Sequence, residues 1–85
     1  MTTSMSAELV MYTTTWCGYC VRLKRFLDAE GLPYREVNIE LDPDAAEFVM
    51  GVNGGNRTVP TLLFPDGTAL TNPTPAQITA VLGHV

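Results

Sequence analysis

Apolar positions recur with two different periods along the chain, and the switches between them mark its elements. Leu9 to Thr13 reads Leu-Val-Met-Tyr-Thr, a short apolar and β-branched run of the kind that forms a buried strand. From Gly18 to about Glu30 the spacing becomes helical: Cys20, Leu23, Phe26, Leu27 and Glu30 follow one another around a helix, and the three apolar members beyond Cys20 should face the core. Gly31, followed by Leu32-Pro33, stops this helix. Tyr34 to Ile39 alternates, with Val37 and Ile39 on one side and Glu36 and Asn38 on the other, which predicts a second strand. Asp42-Pro43 supplies an N-cap and a proline at the first helical position. Behind it Ala45, Phe48, Val49 and Val52 recur as one helical face, and Asn53-Gly54-Gly55-Asn56 ends the helix. Thr61 to Phe64 and Thr68 to Thr71 flank Pro65-Asp66-Gly67 as a hairpin. Thr74-Pro75-Ala76-Gln77 has the spacing of a capping box, and Ile78, Val81 and Leu82 give the last helix its apolar face.

The order β-α-β-α-β-β-α predicts an α/β fold. A right-handed βαβ crossover gives a parallel pair, and the hairpin adds antiparallel strands. The result is a four-stranded mixed sheet with three helices on its faces. The chain has 85 residues, enough for one modest core, and residues 9–85 are read as one domain behind a short disordered tail, residues 1–8. Hydrophobic residues make up 46% of the chain and charged ones 16%, a globular balance rather than a disordered one.

A net charge of -4 and the lack of a basic run argue against nucleic-acid binding. No apolar run approaches the ~20 residues that would cross a membrane. Residues 1–8 have neither the positive start nor the apolar stretch of a secretory signal. The chain holds 2 cysteines, too few and too close to staple a secreted domain, so a reducing compartment, the cytoplasm, is expected.

Those cysteines lie in Trp16-Cys17-Gly18-Tyr19-Cys20, where the first strand gives way to the first helix. Free N–H groups and the positive end of the helix dipole gather at such a point, and both stabilise a thiolate. Cysteines in Cys-X-X-Cys motifs at helix starts have pKa values of about 3.5–7.5, against ~8.5 for a free thiol. Cys17 is therefore the expected nucleophile. Cys20, one turn on and on the same side of the helix, can attack a mixed disulfide on Cys17 and close a Cys17–Cys20 bond. Arg22, Lys24 and Arg25 are either a solvated face or an added positive field. Trp16 is either a partly exposed flat wall or a ring packed in the core. Gly18 permits close approach of a substrate backbone. A zinc site would want four protein ligands, and beyond the two cysteines the chain offers only His84, at its far end, where a surface position is expected; no metal is expected.

Val59-Pro60 opens the third strand, where proline cannot donate to a ladder. A cis bond in a turn or an ordinary trans edge proline would each explain it, and base rates favour the trans form.

Tyr12-Thr13-Thr14-Thr15-Trp16-Cys17-Gly18-Tyr19-Cys20, the element order and Arg57-Thr58-Val59-Pro60-Thr61 together resemble the thioredoxin superfamily and, within it, the glutaredoxins. The resemblance spans about residues 8–83. Trp16 to Cys20, Ala46-Glu47-Phe48-Val49, Val52 to Thr61 and Leu70-Thr71-Asn72-Pro73 are similar to the mycoredoxins, the actinobacterial branch that uses the thiol mycothiol. The resemblance implies Cys17 as nucleophile, Cys20 as resolving cysteine and Pro60 as a cis-proline beside the pair. It also implies that the Val59 backbone pairs with an extended substrate segment. Trp16, Tyr19 and Thr58 would line the groove, and Thr71 and Asn72 would meet the small thiol. Typical glutaredoxins have Gly-Gly and an acidic or polar pair before the last helix, groups that hold the charged ends of glutathione. Leu70-Thr71-Asn72-Pro73-Thr74 has neither, which fits the sugar–inositol body of mycothiol or, more plainly, a capped helix start. The thioredoxin Cys-Gly-Pro-Cys and the Trp-Ser-Gly-Phe-Arg-Pro run of redoxins serving ribonucleotide reductase are absent.

The implied activity is reduction of mycothiol–protein mixed disulfides by a Cys17-centred monothiol route. Mycothiol would serve as co-substrate, recycled by an NADPH-dependent mycothiol disulfide reductase, with the protein acting as a monomer. A general glutaredoxin- or thioredoxin-type disulfide reductase using both cysteines is the alternative. A [2Fe–2S] carrier is a second, and would need two chains, since one cannot supply the ligands.

Overall fold

A computed structural model of the chain describes residues 9–82. The tail over residues 1–8 and the position of His84 lie outside the described residues. The elements are β1 (Leu9–Thr13), α1 (Gly18–Ala29), β2 (Tyr34–Asn38), α2 (Pro43–Val52), β3 (Thr61–Leu63), β4 (Ala69–Thr71) and α3 (Pro75–Leu82), in the expected order. The sheet runs β2-β1-β3-β4, with β1 and β2 parallel and β3 antiparallel to both β1 and β4. The hairpin strands are shorter than their sequence suggests. Phe64 already belongs to the turn, donating its N–H to Thr68 and accepting from Gly67, which sits at φ 94° where a side chain would be strained. Asp66 closes that turn by accepting the Thr68 N–H at 2.9 Å, and these Thr68 bonds hold its carboxyl below the usual aspartate range.

Alternation along β1 divides the core between the two faces of the sheet. Leu9 and Met11 pack with Leu23 and Leu27 of α1, Ile78 of α3, and Leu62 and Phe64. On the other face Ala45, Ala46 and Val49 of α2 pack with Ile39, and Tyr12, Val37 and Phe48 lie against them. The Tyr12 and Phe48 rings are tilted with centroids 5.1 Å apart, a favourable aromatic arrangement. The buried face of α2 differs from the expected one: Ala46 is buried and Val52 is exposed. At about 100° per residue Val52 shares the face of Ala45 and Val49, but it lies in the last turn, which runs on into the exposed Gly54-Gly55 loop. Phe26 is half-buried.

The ends of the helices are set by the expected caps. Asp42 accepts the Ala45 N–H at 3.1 Å. Thr74 and Gln77 form a reciprocal capping box at 2.8 and 3.1 Å. Gly31, at φ 67°, closes α1, with Leu32 donating to Leu27 and Gly31 to Asp28 in the Schellman pattern. Among the described residues no helix is long and apolar enough to cross a membrane.

Leu27 is fully buried, so Leu27→Ala should lower the unfolding free energy by about 2–5 kcal/mol. Asp42→Ala, which deletes one cap, should cost about 1 kcal/mol. Urea unfolding followed by circular dichroism reads both, and equal losses at the two sites would contradict this account. Burial is the main cause that raises the phenol pKa of Tyr12 and of Tyr34, the latter beside the Asp28 carboxylate. A raised folded pKa means that their contribution is intact below the ordinary phenol range and is lost as pH rises through the folded values. Stability should therefore decline above about pH 10, and a Tyr34→Phe variant should show a shallower decline.

Candidate active site

β1 ends at Thr13, and four residues on Cys17 becomes the N-cap of α1, with extended backbone at φ −91° and ψ 105°. Its Sγ accepts the backbone N–H of Cys20 at 2.9 Å. Sulfur thus does the work that a serine or aspartate oxygen does at most helix starts. The first turn of α1 contains no acidic side chain to oppose negative charge on that sulfur. Cys17 and Cys20 are joined as a disulfide with their Cα atoms 5.1 Å apart. Their surroundings are unequal: Cys20 is 1% exposed and belongs to the core cluster, whereas Cys17 is half-buried at its margin. Once the bond is reduced, only Cys17 is open to a partner.

The approach to Cys17 is pinned from β2. Thr15 donates its N–H to Glu40 at 3.2 Å, Asn38 donates its amide to the Thr15 hydroxyl at 3.3 Å, and Glu40 donates its N–H back to Asn38 at 2.8 Å. The sequence pattern places Asn38 on the outer side of a strand and gives Glu40 no role. Their one sequence signal is the short polar side chain at a strand end, which bonds the backbone two residues on.

Trp16 is 85% exposed, so its ring is not packed in the core. Tyr19 is also exposed, and the Arg22 guanidinium lies 5.5 Å from its ring centroid. Lys24 is drawn away from the cysteines to Glu36 of β2 at 3.3 Å. A Cβ placed on Gly18 would meet open space, which leaves the surface beside the pair clear.

The Val59–Pro60 bond is cis, as the resemblance implied and base rates did not. Pro60 is buried, and its carbonyl accepts the Asn72 N–H at 2.7 Å. Val59 lies against both core clusters, one of which it shares with Cys17. Thr58, Thr71 and Asn72 are exposed, and Asn72 has a left-handed backbone at φ 46°. A cavity of about 220 Å³ opens between α1 and the start of α3, lined by Tyr19, Arg22, Phe26, Asn72, Pro73 and Thr74 among others. It brings Tyr19 and Asn72 together and explains the half-burial of Phe26. Trp16, Thr58, Val59 and Thr71 do not line it, and Arg22, Phe26 and Pro73 were not anticipated as site residues. Among the described residues no group of three or more His, Cys, Asp or Glu side chains converges where a metal ion could be held.

The family model for Glutaredoxin matches residues 9–68. A Mycobacterium tuberculosis protein that carries a provisional glutaredoxin name is 56% identical over 78 residues, covering 92% of this chain and 93% of that protein. Mycoredoxin 1 of Corynebacterium glutamicum is 42% identical over 74 residues, covering 87% of this chain and 91% of its own length. Among solved structures, the glutaredoxin of Methanosarcina mazei superposes with a TM-score of 0.77 at 21% identity, over 93% of this chain and 81% of that one, a likeness of fold.

The unequal burial of the two sulfurs has a direct readout. Iodoacetamide added at neutral pH to the freshly reduced protein should label Cys17 roughly tenfold or more faster than Cys20, as resolved by peptide mass spectrometry. Comparable rates at the two sulfurs would contradict the described site.

Proposed function

We propose, on the premise that the chain belongs to the glutaredoxin family and is a thiol–disulfide oxidoreductase, that it releases mycothiol from proteins carrying it as a mixed disulfide. The observation that carries this reading is the start of α3. Asn72, Pro73 and Thr74 border the cavity beside the Tyr19 and Phe26 rings, with amide and hydroxyl groups and no carboxylate. Arg22 is the one charged group of the lining, and its guanidinium lies over the Tyr19 ring. Rings beside amide and hydroxyl groups suit a polyhydroxylated body, with apolar sugar faces against the rings and hydroxyls towards the polar rim and the guanidinium donors. The 42% identity to Mycoredoxin 1 supports the same choice.

The Cys17 thiolate attacks the mycothiol sulfur of the mixed disulfide. The old S–S bond breaks, and the target's sulfur leaves as a thiolate that takes a proton from water. The thiolate of a second mycothiol attacks the mycothiol sulfur of the Cys17 adduct, which releases mycothiol disulfide and restores the Cys17 thiolate. An NADPH-dependent reductase in the cytoplasm returns that disulfide to two thiols. The group that stabilises Cys17 throughout is the main-chain N–H of residue 20, so Cys20→Ser keeps it. Thr58, Val59 and Pro60 receive the target's extended segment, Trp16 forms the outer wall, and Thr71 and Asn72 border the small thiol. The bond already formed between Cys17 and Cys20 favours a second reading, a dithiol route for ordinary protein disulfides.

The two routes separate in a coupled NADPH assay with mycothiolated and glutathionylated forms of one target protein. Cys17→Ser should lose all activity, and Cys20→Ser should keep most of it on the mycothiolated form. An inactive Cys20→Ser protein would favour the dithiol route, and a preference for the glutathionylated form would overturn the choice of thiol. A brown, dimeric protein after anaerobic purification would point instead to cluster carriage.

A further inference from the structure

Asn53 follows the last turn of α2, where it reads simply as a helix terminator, yet its side-chain amide joins three separate segments. It donates to the Val49 carbonyl at 2.8 Å and to the Thr61 hydroxyl at 3.2 Å, and it accepts from the Thr71 hydroxyl. The Thr61 hydroxyl in turn donates to the Thr58 carbonyl at 2.8 Å. Only one assignment of protons satisfies this chain. A carbonyl can only accept, so the amide nitrogen must face Val49 and Thr61, which leaves the amide oxygen for Thr71. The Thr61 proton is committed to Thr58, so that hydroxyl must accept from Asn53. Thr61 is fully buried, where loss of a partner is costly.

The chain of bonds has a geometric consequence. The Thr58–Val59 peptide is planar and trans, so its C=O and N–H point in opposite directions. Fixing the Thr58 carbonyl inward on Thr61 therefore turns the Val59 N–H outward, the direction from which an extended chain would pair with it. The other arm of the same amide holds Thr71, next to Asn72, whose N–H is fixed on the Pro60 carbonyl at 2.7 Å. We infer that Asn53 is a positioning residue, which sets the Val59 N–H for the target's backbone and the Thr71–Asn72 edge for the small thiol, so that both halves of a mixed disulfide meet one rigid frame. This rests on the reading that Val59 and Thr71–Asn72 face substrate.

The test is steady-state kinetics on whichever mixed disulfide, mycothiolated or glutathionylated, the wild-type protein turns over faster. In Asn53→Ala, KM should rise about five-fold, the equivalent of one net hydrogen bond of about 1 kcal/mol. Its kcat and the pH profile of Cys17 alkylation should stay at their wild-type values, because the Cys20 N–H is untouched. Thr61→Val should reproduce the rise and Thr61→Ser, which keeps the hydroxyl, should reverse it. Thr71→Val should raise KM by itself, and its effect should not add to that of Asn53→Ala in the double variant. Should Asn53→Ala fail to fold, the Thr61→Val and Thr61→Ser pair carries the test. A folded Asn53→Ala protein with wild-type KM, or one whose kcat and alkylation profile change along with KM, overturns the inference. A preference for the glutathionylated target would overturn only the choice of mycothiol, since the Asn53 comparison is made on the preferred substrate. A wild-type protein that turns over neither overturns the reading of the groove and this inference with it.

Discussion

The site depends on one hydrogen bond, from the main-chain N–H of Cys20 to the sulfur of Cys17. Because the acceptor is the N-cap residue, the bond starts α1 and sets an N–H donor on the sulfur proposed as the nucleophile, where it would steady negative charge. The rest of the local structure keeps it in place. Cys20, Leu23 and Leu27 bury the inner face of the helix against β1. Glu40 and Asn38 hold the turn that delivers Cys17 to the helix start. The reactive sulfur is thereby fixed at the rim of a packed core, and its partner sulfur is sunk within that core.

The elements were legible in the sequence because each is encoded locally. Asp42, the Thr74–Gln77 pair and Gly31 announce helix ends within three or four residues, and a short apolar, β-branched run in Leu9 to Thr13 and alternation in Tyr34 to Ile39 mark the strands. The placement of the cysteine pair at a helix start was equally legible, since strand, pair and helix are contiguous. Contacts assembled by topology were not. Asn53, Thr58, Thr61 and Thr71 meet only when β3 is laid between β1 and β4 with α2 alongside, and no periodicity joins them. The cavity failed to show for the same reason, as its walls come from opposite ends of the chain. Residues with two plausible fates, such as Trp16, could be resolved only by coordinates, because an aromatic ring suits a core and a binding surface equally.

The two faces of the sheet take different parts in the site. The face covered by α1 and α3 supplies the chemistry: both cysteines and the cavity lie there. The face covered by α2 supplies alignment, through Asn53 and the buried hydroxyl of Thr61. Val59 touches both core clusters and stands where the two functions meet. Core packing that shifted one face against the other would therefore disturb substrate alignment before it disturbed the sulfur.

Since the donor to Cys17 belongs to the main chain, it survives every replacement at position 20 except proline, which lacks the N–H. The side chain at position 20 is held in the core, so a replacement of similar size, such as serine, leaves both the packing and the N–H on Cys17 in place.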